Sequence, residues 1–557
     1  MKLRPLFSFL IAGSALMASA QSHVEGMEYY KADQPENAKE LLERNFNSPQ
    51  TDKALANYYL GMIAFDKGDL KTAQKYFEAG QAADPENGYN YVGLGAVLLK
   101  DGDVKGAEKF FKDGEGKAKK DAALQVQIAQ AYYDVNPAEY SAQIEKRLEK
   151  ARKINMQEPA IYIFEGDRKK ANKDVGGAAA SYEMGANYGG TTPEAYVKYA
   201  NLYNNINPGY AVVMLEKLTQ VNPTSALGQK ELAEALYNKG DFTKAAEQYG
   251  KYVKNPNHFK KDEDRYAFLL FYGQKYQDGY DYSTNLLKAD PNNFNARRFQ
   301  FINAAQIPAL EGQLPAMADA LYAAKKKNPS NKFAQIDYSL LSEEFVKTAK
   351  ANKERPVKAI DLLQEAIAES PENPAYYKSL AMVLVDDNDL PNAADTYMGF
   401  LQNTPEPGYN DFIQQATFDY YAGVQYKNDD PDHNRTADPA QVEKYFKLAE
   451  DFINRAAQIL PDNYRPVKMR GDIAMQRATS ETDVKKAAQP LYEQAVVLLE
   501  QSADPSRYAT DAKTMYNYLG NYYLDQKDTA KAKEYFNKYL QYDPNNEGYR
   551  KFVEGLK

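Results

Sequence analysis

The chain has 557 residues, a formal net charge of −8 at pH 7 and a mean hydropathy of −0.69. It contains no cysteine, no tryptophan and only three histidines, which excludes disulfides, thiolate metal sites, a cysteine nucleophile and a histidine-rich metal cluster. The acidic balance argues against general nucleic-acid binding, and the low hydropathy excludes a polytopic membrane protein.

The first residues have the pattern of a secretory signal peptide. Lys2 and Arg4 form a short basic start, an apolar stretch follows over 6–17, and 18–20 read Ala-Ser-Ala, a small-x-small cleavage pattern. The apolar stretch is shorter than the roughly 20 residues that a transmembrane helix needs. No cysteine follows it, so no lipoprotein anchor is expected. We expect cleavage after Ala20 and a periplasmic, exported chain without a transmembrane span.

A repeat with a period of 34 residues runs through the rest of the chain. Small and aromatic residues recur at that spacing, as the pairs Gly61 and Gly95, Ala73 and Ala107, and Phe77 and Phe111 show. The same frame returns at 159–192, 226–259, 260–293, 374–407 and 513–546, and looser copies fill most of the intervals. Seven copies in one register indicate a true repeat.

The residues of each unit predict two antiparallel helices. Gly in a Lys-Gly-Asp or Asp-Gly-Asp turn allows a tight connection, and the Asp that follows can cap the second helix, as at Asp69, Asp103 and Asp241. Asp-Pro at 84–85, 290–291 and 543–544 ends a unit, because proline cannot continue a helix. A single pair cannot bury its apolar face alone, so the pairs should stack into one continuous core.

This spacing resembles that of the tetratricopeptide repeat family, and the chain looks like a periplasmic scaffold built from such repeats. The resemblance implies an all-α fold, an α-α superhelical solenoid of about 13 helix pairs, with a capping helix at 548–557. We expect four segments: the signal peptide at 1–20, an N-terminal array at 21–293, a degenerate or hinge region at 294–373, and a C-terminal array with its cap at 374–557.

Motifs for catalysis or cofactor binding are missing from the sequence. It has no P-loop, no dinucleotide-binding fingerprint on a strand and no HExxH motif. We therefore predict no catalytic residues, no cofactor and no metal site, and hence no enzyme. The best metal candidate is 428–438, where acidic and polar residues alternate as in a calcium loop, but Arg435 and Gln441 replace the required Gly and Glu. A solvated insertion loop is the preferred interpretation, and calcium binding stays open.

The resemblance also implies a concave groove lined by the first helix of each unit. When the groove positions of the family are transferred to the repeats of this chain, they select three sets of residues. The first is apolar and aromatic, the second is rich in amides, and the third is again aromatic. Asparagine amides can pair with the backbone of an extended peptide. The predicted partner-binding groove comprises Tyr58, Met62, Phe65, Tyr89, Val92, Leu99, Asn201, Asn204, Asn205, Tyr237, Asn238, Phe268 and Phe271.

Two functions remain open at this stage. The first is an exported, non-catalytic scaffold that binds a protein or peptide partner, with cell-envelope assembly or secretion as its setting and no nucleic-acid partner. The alternative is a periplasmic or surface protein that binds glycans or nutrients. The lack of tryptophan for sugar stacking and of a lipid-anchor cysteine disfavours the alternative. The sequence does not decide whether the groove or the convex face binds.

Overall fold

The computed structural model describes residues 22–348 and 354–556, and over these residues the chain is helical. No strand occurs among them; Asp430 and Arg435 form an isolated bridge within a loop. No helix in this part of the chain has the length and apolar character needed to span a bilayer. The predicted signal peptide and its cleavage site lie outside the described residues.

The chain divides into two compact units, of which the first ends at Ala309 and the second begins at Leu310. This division falls within the predicted hinge region 294–373, and the predicted boundaries themselves stay predictions. The helices of unit 1 are α1 (Ser22–Lys31), α2 (Pro35–Asn45), α3 (Lys53–Asp66), α4 (Leu70–Ala83), α5 (Gly88–Lys100), α6 (Val104–Lys117), α7 (Ala122–Val135), α8 (Ser141–Ile154), α9 (Pro159–Ala171), α10 (Val175–Gly189), α11 (Pro193–Tyr203), α12 (Pro208–Val221), α13 (Ala226–Lys239), α14 (Phe242–Tyr252), α15 (Glu263–Tyr272), α16 (Tyr276–Ala289) and α17 (Phe294–Ala304).

Consecutive helices pack in pairs, as the repeat predicts. Gly95 lies against the ring of Phe111, so that α5 and α6 approach closely at this point. Asp103 caps α6 by accepting a hydrogen bond from the backbone N–H of Gly106 at 2.9 Å. Equivalent Asp caps begin α4 at Asp69 and α14 at Asp241. The turn residues of the sequence therefore do what their chemistry predicts.

Unit 1 curves until its first helices meet later ones. Helix α1 packs on its neighbours α2 and α3, and it also contacts α11 and α13. Tyr29 on α1 meets Phe259, which follows α14, edge to face with ring centroids 5.4 Å apart. The stack of helix pairs in unit 1 therefore closes into a ring, which the repeat spacing alone does not predict.

Unit 2 continues the pattern with α18 (Leu314–Lys327), α19 (Gln335–Lys347), α20 (Glu354–Glu369), α21 (Pro374–Asp386), α22 (Leu390–Asn403), α23 (Tyr409–Gln425), α24 (Pro439–Ile459), α25 (Tyr464–Arg477), α26 (Glu481–Ala487), α27 (Gln489–Glu500), α28 (Ala509–Asp525), α29 (Thr529–Tyr542) and α30 (Glu547–Gly555). Short 3-10 helices lie at Lys260–Asp262, Pro308–Gln313, Pro431–His433 and Pro505–Tyr508. The predicted capping helix is α30, in which Tyr549 and Phe552 pack on Phe536.

The predicted all-α solenoid of about 13 stacked helix pairs is confirmed. Each unit has hydrophobic clusters of its own, and the cluster of unit 1 runs from Tyr29 to Leu270. Short elements also lie between the regular pairs: the 3-10 helix at Pro431–His433 lies in the loop before α24, and α26 lies between α25 and α27.

Candidate functional site

The ring of unit 1 surrounds a cavity of about 530 Å³. Its wall is formed by α1, α3, α5, α7, α9 and α11, the first helices of six consecutive pairs. The end of α10 and the turn after α1 complete it. A concave site on the inner helices is where a solenoid presents its extended binding surface.

One side of the cavity carries a buried lysine held by two carboxylates. The Nζ of Lys198, whose side chain is 5% exposed, lies 2.9 Å from Asp33 and 3.2 Å from Asp167. Although burial lowers the pKa of Lys198, the carboxylates of Asp167, Asp33 and Glu194 raise it, so the amine stays charged. Tyr182 donates a hydrogen bond of 2.6 Å to Asp167 and fixes that carboxylate.

A second part of the cavity wall is acidic. Tyr30 donates a hydrogen bond of 2.8 Å to Asp66, and Gln130 donates one of 2.6 Å to Asp134. Burial raises the pKa of Asp66, and burial together with the nearby Asp66 raises the pKa of Asp134 to about 6. These carboxylates are thus hydrogen-bonded by neutral groups, and they would gain from a cation placed between them.

Tyrosines form the aromatic part of the wall. Tyr59 meets Tyr30 and Tyr58 edge to face, with ring centroids 5.5 Å and 5.1 Å away, and Tyr58 meets Tyr89 at 5.4 Å. Tyr89 donates a hydrogen bond of 2.9 Å to Asp121 at the start of α7. The cavity therefore combines rigid aromatic surface with charged and amide groups, a lining suited to a polypeptide.

The structure places the first predicted set only partly at the cavity. Met62 and Tyr89 line it. Tyr58, Phe65, Val92 and Leu99 are buried in the core, which leaves little of their surface for a partner. On these first helices, residues that face the cavity lie close in sequence to residues that face the core. The groove positions transferred from the family include residues of both kinds.

The other two predicted sets lie elsewhere in unit 1 and do not line the cavity. Asn201, Asn205 and Asn238 are exposed, and the partly buried Asn204 accepts a hydrogen bond of 3.2 Å from Asn238.

The aromatic set is half-buried. Arg265 covers Tyr237 and Phe268, with its guanidinium carbon 4.3 Å and 4.5 Å from their ring centroids. Phe271 packs on Tyr276 at 5.8 Å. The 13 predicted residues thus do not form one surface, and partner binding by any of them stays a prediction.

Several cavity residues escaped the sequence analysis although the repeat frame contains them. Asp66 follows Phe65 on the same helix, and Asp167 in α9 occupies the position that Met62 occupies in α3. The unit at 159–192 fits the repeat well, so extending the groove positions to it would have found Asp167. Lys31, which also lines the cavity, precedes the first clear repeat, so no repeat position pointed to it.

In the candidate calcium loop, the guanidinium of Arg435 binds carboxylates that a calcium ion would need as ligands. Arg435 donates hydrogen bonds to Asp389 at 2.7 Å and to Asp430 at 2.8 Å, and the Nδ1 atom of His433 lies 2.9 Å from Asp430. Burial raises the pKa of Asp430, but hydrogen bonds from Arg435 and His433 outweigh it and lower the pKa. Over 22–348 and 354–556, no cluster of three or more His, Cys, Asp or Glu side chains could hold a metal ion.

A smaller cavity of about 320 Å³ lies in unit 2, lined by α25, α27 and α28. Asn517 and Asn521 face it, but the amide nitrogen of Asn521 donates to the backbone oxygen of Asn517 at 2.8 Å, and Tyr549 donates to the side-chain oxygen of Asn517 at 2.7 Å. These amides are already engaged, so the cavity of unit 1 is the stronger candidate.

Comparison with known proteins identifies the repeats at both ends of the chain. Family models of the tetratricopeptide repeat match residues 23–88, 64–131 and 515–546. These segments are therefore tetratricopeptide repeats. No curated protein sequence matches the chain.

Several solved structures match the chain at low sequence identity. The C-terminal part of a TPR repeat-containing protein from Cytophaga hutchinsonii is 16% identical, covers 53% of this chain and 99% of its own, and has a TM-score of 0.38. A TPR protein from Thermus thermophilus is 19% identical, with 33% and 99% coverage and a TM-score of 0.24. Yeast Tom70 is 15% identical, with 94% and 99% coverage and a TM-score of 0.28.

Proposed function

We propose that the protein is an exported, non-catalytic scaffold of the cell envelope that binds an extended segment of a protein partner in the cavity of unit 1. The observation that carries this proposal is the cavity itself, because six consecutive inner helices contribute to one continuous wall. Tetratricopeptide repeats at 23–131 support a role in protein binding. The basic start, apolar stretch and Ala-Ser-Ala of the first residues support export.

The charge of the cavity favours a segment that carries lysine or arginine. Lys198 is already paired with Asp33 and Asp167, whereas Asp66 and Asp134 are hydrogen-bonded by Tyr30 and Gln130. A cationic side chain next to Asp66 and Asp134 would form ion pairs with carboxylates that are now hydrogen-bonded by neutral groups. The tyrosines would contact the apolar parts of the segment.

Binding of short unfolded peptides tests this proposal. Two fluorescent peptides of about 15 residues, matched in apolar content and carrying about four lysines or about four glutamates, are titrated into the mature chain. We expect the lysine peptide to bind and the glutamate peptide not to bind. The double variant Asp66→Asn/Asp134→Asn should weaken binding by about tenfold. Asp113→Asn, a change at an exposed position on α6, is the matched control and should have no effect.

Equal binding of the two peptides, or unchanged binding by the double variant, would contradict this assignment of the site. Export is tested separately by intact-mass measurement of the chain from fractionated cells. The mature chain should begin at Gln21 and be found in the envelope fraction. Leu10→Arg, which interrupts the apolar stretch, should retain the uncleaved chain in the cytoplasm. A cytoplasmic wild-type chain that keeps residues 1–20 would refute export.

A further inference from the structure

The ring of unit 1 is closed by an interface between α1–α2 and the region from α11 to residue 262, which combines the aromatic contact of Tyr29 and Phe259 with several polar contacts. Gln34 donates a hydrogen bond of 2.6 Å to Glu231, and Lys261 donates one of 2.7 Å to Asn37. Arg44 donates a hydrogen bond of 3.3 Å to the backbone oxygen of His258. We call this set of contacts the closing interface.

A buried glutamate lies at the centre of the closing interface. Glu25 is 3% exposed and accepts hydrogen bonds from the backbone N–H of Leu227 at 2.6 Å, from Ser225 at 3.2 Å and from Asn257 at 3.5 Å. It thus reaches the first turn of α13, about 200 residues away in sequence. Burial raises the pKa of Glu25 to about 7, although these hydrogen bonds lower it.

A second glutamate on the same helix adds to this effect. Burial, and then the nearby Glu25, raises the pKa of Glu28 to about 8, while Lys31 lowers it and Glu194 on α11 raises it. Two carboxyl groups one helical turn apart are therefore held in the interface, where ionisation of both is unfavourable.

Other titratable and charged groups face α1 from the helices and the segment that pack on it. They are Tyr59 and Asp66 on α3, Glu194 and Lys198 on α11, Glu231 on α13, and Tyr252, His258 and Asp262 near the end of α14. His23 also lies on α1, and burial lowers its pKa. Four of the groups on these neighbouring elements are carboxyl groups, and two nearby lysines are already paired, Lys198 with Asp33 and Asp167 and Lys230 with Asp262, so they do not offset ionisation of Glu25 and Glu28.

We propose that α1 and α2 form a reversible latch, which holds the ring of unit 1 closed while Glu25 and Glu28 are protonated and opens when they ionise. Opening separates α1 and α2 from the region between α11 and residue 262, while α1 keeps its contacts with α2 and α3. Opening exposes the cavity along the side where α1 contributes its wall, and it lets an extended segment enter without threading. This gating role rests on the proposed binding function, whereas the latch itself does not.

The direction of the pH dependence follows from comparing the closed and open forms. In the open form the two carboxyl groups are exposed and ionise near the ordinary value of glutamate, about 4.3. Below that pH both forms are protonated and closure is strongest. As the pH rises toward 7 to 8 the open form ionises first, so closure weakens; a carboxyl group whose pKa differs by about two between the two forms changes the closing equilibrium ~100-fold.

Distance measurement between two spin labels tests the latch. The chain contains no cysteine, so Lys39→Cys on α2 and Lys251→Cys on α14 give a single labelled pair at exposed positions. At about pH 5 we expect one short distance, and at about pH 8.5 a second, longer distance that accounts for much of the population. Glu25→Gln/Glu28→Gln should keep the short distance at both pH values, since glutamine stays neutral and can still accept a hydrogen bond.

The matched controls are Glu43→Gln, an exposed glutamate on α2, and His23→Gln; both should open like the parent. Distance distributions that are the same at both pH values would overturn the latch. So would a Glu25→Gln/Glu28→Gln chain that still opens, because another group would then drive the change.

Locking the same two cysteines with a short bifunctional thiol reagent separates gating from binding. If the latch controls access, the locked chain at about pH 8.5 should bind the lysine peptide at least about tenfold more slowly than the unlocked chain. Equal association rates would overturn gating and leave the latch supported by its distances. Failure of both chains to bind the peptide would overturn the proposed function and gating with it, while the distances still decide the latch.

Discussion

At the scale of single residues, the fold depends on small side chains that face aromatic rings. A Cβ added at Gly95 would lie 2.5 Å from the ring of Phe111, and similar contacts join Gly61 to Phe77 and Gly520 to Phe536. Carbon atoms make favourable contact at about 3.5–4.0 Å, so no larger residue fits without moving the ring. Phe111 is fully buried and has little room to move.

Gly95→Ala should therefore destabilise the chain despite the higher helix propensity of alanine. The clash with Phe111 should cost about 1–3 kcal/mol, and the melting temperature measured by circular dichroism should fall. Gly116→Ala on α6 is the control, because a Cβ there meets nothing within 4 Å. This control should raise stability by about 0.5–1 kcal/mol. Equal effects of the two changes would show that packing against Phe111 is not what requires glycine.

These contacts between glycines and aromatic rings could be predicted from the sequence, because both partners lie within one repeat at a fixed spacing. The ionised groups of the cavity could not. Lys198 contacts Asp33 and Asp167, which belong to different helix pairs of unit 1. Its position is set by the curvature of the whole ring. Repeat spacing identifies which helix faces inward, but it does not state which inward residue reaches the cavity.

At the scale of helices, regular pairs form even where the repeat pattern is weak. The sequence at 122–158 matches the repeat only loosely, yet α7 and α8 form an ordinary pair. Tyr132 fills the position beside Phe111, with ring centroids 5.4 Å apart, and Leu148 is fully buried. Apolar volume in the right place thus replaces the consensus residues. The loop before α24 was predicted, but the pairing of Arg435 with Asp389 could not be, because Asp389 lies in a turn 46 residues earlier.

At the scale of the molecule, closure of unit 1 is the feature that sequence reasoning missed. Glu25 and Leu227 meet across the ring although each lies in an unremarkable stretch of sequence. Closure results from small rotations added over successive helix pairs, and a modest change in each would leave the ring open. A single sequence gives the pairing of neighbours but not the sum of their rotations.

Phe111 and Phe446 belong to different hydrophobic clusters, one in each unit, and we expect each unit to respond to its own core substitution. Phe111→Ala in unit 1 and Phe446→Ala in unit 2 remove fully buried rings, and each should cost about 3–5 kcal/mol. In differential scanning calorimetry of the full chain we expect two transitions, of which Phe111→Ala lowers one and Phe446→Ala lowers the other. Because nearest-neighbour coupling decides how far unfolding spreads in a repeat protein, a single transition that both variants lower equally would show that the units unfold together.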